Sequence, residues 1–178
     1  MRKLLNEELN RLDVDGYKSA QKAPVIVVLD NIRSLNNIGS AFRTSDAFRV
    51  EAIYLCGITA VPPHRDIQKT ALGATESVDW KYFKTTEEAV RELKSNSYYV
   101  VAIEQANESV DLENFKINTG KKYGFIFGNE VKGVEDNVIL LSDEVVEIPQ
   151  FGTKHSLNIS VSVGIVLWDF LLKYRRLK

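Results

Sequence analysis

The stretch VIVVLDNIRSLNNIGSAFRTSDAFRVEAIYLC, residues 25–56, contains a complete strand, helix and strand pattern. VIVVL (25–29) and EAIYLC (51–56) are short runs rich in β-branched and apolar residues, which is typical of strands buried on both faces. Residues 37–48 between them repeat apolar side chains at helical spacing. This unit predicts two neighbouring strands of a largely parallel sheet with a helix packed against them.

The same alternation continues along the chain. YYVVAI (98–103), YGFIFG (123–128) and EVVEI (144–148) predict three more buried strands. Further helices are expected near 66–72, over 86–95 and 135–141, and from about 157. Alternating elements of this kind predict an α/β domain with a mostly parallel sheet and helices on both faces. Because no repeat or linker divides the chain, residues 1–178 are expected to form one domain.

Composition limits the possible partners and compartments. The 178 residues include 44% hydrophobic and 26% charged residues, as in an ordinary globular domain. A formal net charge of −1 gives no global signal for nucleic acid, so an RNA partner would need a local basic patch. Cys56 is the only cysteine, which excludes an intrachain disulfide. With no signal-peptide pattern and no apolar run long enough to span a bilayer, we expect a cytoplasmic protein without a membrane partner.

The two ends of the chain carry further helical patterns. Leu5, Leu9 and Leu12 predict a short helix over residues 2–12, within a helical arm (1–23) that precedes the core (24–178). The terminal helix has one apolar stripe formed by Val163, Val166, Leu167, Phe170, Leu171 and Tyr174, and a second formed by Val161, Ile165, Trp168 and Leu172. Such a wide apolar surface indicates either deep burial in the domain or contact with another subunit.

The first of three chemically suggestive stretches is NNIGSAFRTSDAF, residues 36–48. Asn36 or Asn37 is a suitable N-cap for the helix that follows. Arg43 flanks the buried stripe of this helix, and we expect it to reach back toward the strand ends. An ordinary solvated arginine is the alternative interpretation.

The second stretch, FIFGNEVKGVED (125–136), ends a strand in Gly128, Asn129 and Glu130, followed by Gly133. Loops at the carboxyl ends of parallel strands are where α/β proteins bind ligands, although a simple tight turn would look similar. The stretch matches neither a Walker A loop nor a G-x-G-x-x-G fingerprint, so nucleotide hydrolysis and dinucleotide redox chemistry are not favoured.

The third stretch, EIPQFGTKHSLNISVSVGIVLWDF (147–170), places Ser156 and Asn158 at the start of the terminal helix. Either residue could simply cap the helix. His155 beside Ser156 does not indicate a hydrolase, because adjacent helical side chains point apart and no G-x-S-x-G elbow is present. The scattered histidines and cysteine fit no zinc pattern, so no metal is expected.

Together and in this order, the three stretches closely resemble the signature motifs of the SpoU family of RNA ribose 2′-O-methyltransferases, within the SPOUT class. The resemblance covers roughly residues 24–172, and KTALGATESV (69–78) also resembles the connecting segment of the family. It implies S-adenosylmethionine as cofactor, a deep C-terminal trefoil knot, and a homodimer formed through the terminal helix. Gln150 and Ser162 depart from the methionine and alanine common in the family.

The resemblance also implies residue roles. The catalytic residues would be Arg43, Asn37, Glu130, Ser156 and Asn158. The cofactor would be bound by Ile103, Glu104, Phe127, Gly128, Asn129, Glu130, Ile148, Pro149, Ser156 and Leu157. Apart from the resemblance, basic residues in loops near the motifs are expected to bind RNA together with Arg43, and these are Arg33, Arg65, Lys69, Lys132 and Lys154. Because an arginine is effectively always protonated, we expect Arg43 to act as an electrostatic clamp rather than as a base.

Three alternatives to this interpretation stay open. The chain could be an RNA-binding protein of the same fold without activity, a methyltransferase acting on a base nitrogen or on protein, or an unrelated α/β enzyme. The arginine-centred first motif favours ribose as the acceptor. Among RNA substrates, tRNA is favoured over rRNA because a lone core domain suits it better.

Overall fold

The computed structural model describes residues 1–178, apart from the side chain of Asn6. The strands are β1 (Ala23–Asp30), β2 (Val50–Cys56), β3 (Asp79–Phe83), β4 (Tyr98–Ile103), β5 (Val110–Asp111), β6 (Lys122–Phe127) and β7 (Glu144–Glu147). The α-helices are α1 (Val14–Ser19), α2 (Leu35–Ala47), α3 (Arg65–Ala71), α4 (Ala74–Ser77), α5 (Thr86–Ser95), α6 (Asp136–Leu141) and α7 (Ile159–Leu177). A 3₁₀ turn (Asn6–Leu9) precedes them.

The strands form one seven-stranded sheet in the order β3-β2-β1-β6-β4-β7-β5. Every neighbouring pair is parallel, which confirms the predicted sheet type. Two strands were not predicted from the sequence. Strand β3 lies at an edge and is mostly exposed, and β5 has only two residues, so neither carries the continuous apolar run of a buried strand.

Side chains of the central strand β1 alternate between two hydrophobic cores. Val25, Val27 and Leu29 face a core that includes residues of α2, α3 and α7. Ile26 and Val28 face a second core formed with α5 and α6. Because successive side chains of a strand point to opposite faces, helices must cover both sides of the sheet. The predicted α/β architecture is therefore confirmed.

The predicted helix over residues 2–12 is wrong. Apart from the 3₁₀ turn, the backbone there is irregular, and Leu5 and Leu9 are exposed. A short helix without tertiary packing is unstable in water, so spacing alone did not suffice. The helix forms instead at α1, where the Asp13 carboxylate accepts a hydrogen bond from the Gly16 N–H at 2.7 Å.

Helix α2 begins earlier than the sequence predicted. Ser34 is its N-cap, and the hydroxyl of Ser34 accepts a hydrogen bond from the backbone N–H of Asn37 at 3.3 Å. The expectation that Asn36 or Asn37 caps the helix is therefore wrong. Because Ser34 provides the cap, the side-chain amide of Asn37 is available for other contacts.

The two apolar stripes of α7 have different surroundings. Asn158 caps the helix by accepting a hydrogen bond from the Ser160 N–H at 2.9 Å. The core of the first stripe is buried and consists of Val163, Val166, Leu167 and Phe170. In the second stripe, Val161 is 49% exposed and Trp168 is 54% exposed. Deep burial in the same chain therefore does not explain the second stripe.

No helix within the described part of the chain has the length and apolar character needed to cross a bilayer.

The close approach of α2 and α3 requires glycine at position 39. A Cβ at Gly39 would lie 2.1 Å from Thr70 Oγ1 and 2.2 Å from the carbonyl oxygen of Ile67. The Thr70 hydroxyl donates a hydrogen bond to the carbonyl oxygen of Asn36 at 3.0 Å, which joins α3 to the first turn of α2. This contact fixes the start of α2, where Asn37 lies.

We expect Gly39→Ala to lower the free energy of unfolding by about 1–3 kcal/mol, because overpacking forces the two helices apart. Urea denaturation measures this change. Gly152→Ala is the control, since a Cβ there meets no atom within 4 Å and the residue lies in the loop before α7 rather than at a contact between helices. We expect the control to be at least as stable as the wild type. Equal stability of the two variants would contradict the packing interpretation.

Candidate active site

A cavity of about 380 Å³ lies beyond the carboxyl ends of the neighbouring strands β6, β4 and β7. Its walls are formed by residues 103–105, 127–133, 147–148, 150, 155–157, 159 and 162. The loops after these three strands meet the start of α7 there. This is the edge at which α/β proteins bind ligands, and the volume is within the usual range of ligand pockets.

The loop after β6 folds back on itself at two glycines. The backbone of Asn129 and Gly133 forms an antiparallel bridge, with N–H to O distances of 3.2 and 2.9 Å. Gly133 has a φ of +69°, a conformation that side chains disfavour. A Cβ at Gly128 would lie 1.9 Å from the carbonyl carbon of Gly133. The turn therefore requires glycine at both positions.

Polar side chains in this region hold the shape of the loop. The Asn129 side-chain oxygen accepts hydrogen bonds from the N–H groups of Val131 at 3.1 Å and Lys132 at 2.9 Å. The Glu104 carboxylate, which follows β4, accepts one from the Val134 N–H at 2.9 Å. Both side chains thus satisfy backbone donors of the loop, which fixes that wall of the cavity.

Hydrogen bonds join one residue from each of the three sequence stretches. The Asn158 amide donates to Asn37 Oδ1 at 3.2 Å, and the Asn37 amide donates to the Glu130 carboxylate. Asn37 is 93 residues from Glu130 and 121 from Asn158 along the chain. The structure therefore brings the start of α2, the loop after β6 and the start of α7 together. Of these three residues, Glu130 lines the cavity directly.

Most of the residues expected to bind the cofactor surround the cavity. Those that line it are Ile103, Glu104, Phe127, Gly128, Asn129, Glu130, Ile148, Ser156 and Leu157. Pro149 lies between two lining residues rather than among them. The sequence analysis noted Gly133, Gln150 and Ser162 without giving them a binding role, and it did not single out the lining residues Gln105, Val131, Glu147, His155 and Ile159 for this wall. Their position in the same strand-end loops was the available signal.

Arg43 lies outside this cluster. Its side chain is exposed and lines a separate groove with Leu12, Asp46 and Leu72. The six residues from Asn37 to Arg43 advance about 9 Å along the helix and turn the side chain about 120° away. The expectation that Arg43 reaches the strand ends is therefore wrong within a single chain.

Arg43 belongs instead to a surface shared by α2 and α7. Asn36, Arg43 and Ala47 are exposed at i, i+7 and i+11 of α2 and so follow one side of the helix. At the end of that helix, the ring of Phe48 lies 6.2 Å from the ring of Trp168 in the exposed stripe of α7. The unpartnered sides of the two helices are therefore neighbours. We call them together the α2–α7 face.

The residues expected to bind RNA are all exposed, but they are distributed over several elements. Lys132 lines the cavity, and Lys154 belongs to the loop before α7. Arg33 precedes α2, while Arg65 and Lys69 lie on α3, which packs against α2. Within the described part of the chain, none of these five cations, nor Arg43, takes part in an ion pair within 4.0 Å.

Charge around the cavity suits a ligand with a positive centre. Glu104, Glu130 and Glu147 line it, against one lysine, Lys132. Carboxylates at such short range attract a cation by several kcal/mol at most, depending on solvent access. Among the residues the structure describes, no group of three or more His, Cys, Asp or Glu side chains is arranged to hold a metal ion.

Residues 24–168 match the model of the SpoU rRNA Methylase family. The chain is 31% identical over 153 residues to a 23S rRNA (guanosine-2′-O-)-methyltransferase RlmB of Neisseria meningitidis, covering 86% of this chain and 60% of that protein. It is 30% identical over 149 residues to a tRNA (guanosine(18)-2′-O)-methyltransferase of Borreliella burgdorferi, covering 84% and 66%. The chain thus spans about 60–66% of the length of these two relatives.

Solved structures agree with the family match. The TrmH/SpoU tRNA modifying enzyme of A. aeolicus superimposes with a TM-score of 0.78 at 25% identity, covering 90% of this chain and 79% of that chain. An AdoMet-bound rRNA methyltransferase of Sinorhizobium meliloti also gives a TM-score of 0.78, at 28% identity, covering 89% and 58%.

We expect Gly128→Ala to lower the affinity for S-adenosylmethionine about tenfold or more, because the new Cβ displaces the loop that forms one wall of the cavity. Titration calorimetry measures the affinity, and circular dichroism checks that the variant is folded. Gly152→Ala is the control, because a Cβ there meets no atom within 4 Å. A folded Gly128→Ala protein that binds as tightly as the control would show that this loop does not contact the cofactor.

Proposed function

The chain belongs to the SpoU rRNA methylase family, and on that premise we propose that it transfers a methyl group from S-adenosylmethionine to a ribose 2′-hydroxyl of RNA. The carbon–sulfur bond breaks as the carbon–oxygen bond forms, S-adenosylhomocysteine leaves, and the hydroxyl proton passes to solvent. The observation that carries this proposal is the hydrogen-bonded series from Asn158 through Asn37 to Glu130 at the wall of the cavity. The two relatives above are named as guanosine 2′-O-methyltransferases of rRNA and of tRNA, and these names support the same reaction.

The cavity fits S-adenosylmethionine in size and in charge. Its lining carboxylates suit a sulfonium cation, and its walls are strand ends and tight loops that offer backbone groups to an adenine and a ribose. We propose that the strand ends near Ile103 and Ile148, the loop 128–130 and residues Ser156 and Leu157 hold the cofactor. When bound, it supplies an electrophilic methyl group.

The residues of the chain have to overcome the low nucleophilicity of a ribose hydroxyl. Such a group needs either a proton acceptor or a positive charge where the alkoxide develops. We propose that Arg43 supplies the positive charge and also binds an adjacent RNA phosphate. Asn37 then orients the Glu130 carboxylate, Asn158 orients Asn37, and the Ser156 hydroxyl bonds to the reacting partners.

Arg43 does not reach the cavity of its own chain, so it can perform this role only at the cavity of a second copy. We propose a homodimer formed through the α2–α7 face, in which Arg43 of one protomer serves the cavity of the other. The exposed apolar stripe of α7 and the exposed side of α2 support this arrangement, because they adjoin and have no partner within the described residues. A two-fold interface repeats each contact, so both cavities would be completed.

The path of the chain supports a further part of the family resemblance, a deep trefoil knot. After β7 the chain lines the same cavity as the loops that follow β4 and β6, and α7 then packs against α2 and β6. Such a knot is rare in proteins. We propose that residues 24–178 form this knotted catalytic core, that 1–23 form an arm, and that the cytoplasm is the place of action. Among RNA substrates we favour tRNA over rRNA.

We expect Arg43→Ala to reduce methyl transfer about 100-fold or more, because it removes the positive charge that stabilises the developing alkoxide. The measurement follows labelled methyl from S-adenosylmethionine into total tRNA and into rRNA. Arg43→Lys should recover little, since lysine lacks the planar fork of donors. Cofactor affinity should stay within about twofold, because Arg43 lies outside the cavity.

Arg91→Ala is the control for a lost surface arginine, since Arg91 is exposed on α5, on the opposite side of the sheet. Unchanged turnover of Arg43→Ala would remove that residue from the reaction. RNA binding by the wild type without S-adenosylmethionine binding would favour the inactive RNA-binding alternative.

Mixed dimers test whether Arg43 acts across the interface. Arg43→Ala should have little activity alone, and so should Gly128→Ala when the S-adenosylmethionine concentration is kept well below that at which this variant is half-saturated. When they are co-expressed, half of the dimers carry both variants, and each such dimer has one intact cavity served by one intact arginine. We expect about a quarter of the wild-type activity from this mixture. If Arg43 acts within its own chain, no site in the mixture is complete and activity stays at background.

A further inference from the structure

Phe151 is an aromatic side chain that the fold leaves almost entirely in solvent. It is 97% exposed, and no aromatic side chain among the described residues is more exposed. A single exposed apolar side chain is common on protein surfaces, so the ring is informative only through its position beside the cavity. The neighbouring residues 152–158 are exposed as well.

The position of Phe151 connects it with the cavity. Its neighbour Gln150 and the nearby residue His155 both line the cavity wall, so the segment that carries Phe151 begins and ends at the cavity. On the facing loop after β6, Val131 is 75% exposed and also lines the cavity. The mouth is therefore bordered by apolar groups on two independent loops.

Two lysines belong to the loops around the cavity, whereas the cavity itself is lined by the carboxylates of Glu104, Glu130 and Glu147. The segment 148–168 contains Lys154 and no aspartate or glutamate. Lys132 lines the cavity on the facing loop and is exposed. An exposed aromatic ring with lysines in its own loop and in a second loop of the cavity wall is a combination that suits single-stranded nucleic acid, whose bases stack on rings and whose phosphates bind cations.

We propose that Phe151 stacks on an unpaired base of the RNA substrate at the mouth of the cavity, while Lys154 binds a neighbouring phosphate. This inference rests on the proposed function, because a ribose that enters the cavity carries its base to the mouth. A base within a duplex is already stacked on its neighbours, so the contact selects an unpaired nucleotide. Phe151 thus contributes to the choice of the nucleotide that is methylated.

Binding to two synthetic RNAs tests the stacking directly. The probes are an oligouridylate of about ten nucleotides and an abasic ribose-phosphate chain of the same length, measured by fluorescence anisotropy. The wild type should bind the base-bearing probe roughly 5- to 150-fold more tightly than the abasic one, as expected for one stacked base. Phe151→Ala should lose this preference while keeping its affinity for the abasic chain.

Two further variants separate stacking from general apolar contact. Phe151→Trp should keep the preference for bases because it keeps an aromatic face, whereas Phe151→Leu should not. Leu140→Ala is the matched control, since Leu140 is 85% exposed on α6 and does not line the cavity. In methyl transfer to tRNA, Phe151→Ala should raise the KM for RNA about tenfold, with the affinity for S-adenosylmethionine unchanged.

Several outcomes would overturn the proposal. One is equal affinity of the wild type for the two probes. Another is a Phe151→Leu protein that prefers the base-bearing probe as strongly as the wild type does. A third is a change of Phe151→Ala from dimer to monomer in sedimentation. The last result would mean that the ring is buried against a second copy. If the wild type methylates tRNA but any of these results is found, the proposed function stands and only the role of Phe151 fails. Absence of methyl transfer by the wild type would instead count against the proposed function.

Discussion

The side-chain amide of Asn37 is the contact on which the arrangement of the site depends. It donates to Glu130 and accepts from Asn158, so a single group joins three parts of the chain. An aspartate at this position could not donate to a carboxylate, and a serine would be too short to span both partners. The amide is available because Ser34, rather than Asn37, caps the helix. A local detail of one helix start thus holds the reacting region together.

The strands that could be predicted from the sequence are the buried ones. VIVVL and EAIYLC form continuous apolar runs because they lie between two layers of helices, and this burial is visible in the sequence. Strand β3 lies at the edge of the sheet, pairs only with β2 and is mostly exposed, so its sequence DWKYF is not a continuous apolar run. The helix predicted over residues 2–12 had the correct spacing but nothing to pack against, and spacing alone does not stabilise a helix.

The candidate site could be predicted to the level of loops but not of side-chain direction. Gly128 and Glu130 were identified because loops after parallel strands share one edge of the sheet. Arg43 was expected at the same edge, but its distance along α2 and its rotation from Asn37 direct it to a different surface. Ala47, one turn further along α2, lines both this groove and a second groove that contains Trp168, so the arginine and the exposed stripe of α7 lie on adjoining surfaces.

The loop 128–133 has a consequence for how such a protein can change over time. Its shape is set by two glycines and by hydrogen bonds to backbone N–H groups, so much of the pocket wall does not depend on which side chains project from it. Gln150 and Ser162 border the pocket without being part of those bonds, so substitutions there leave the shape of the loop intact. Two glycines, Glu104 and Asn129 set this wall, in a chain that is 31% identical to a relative of the same family.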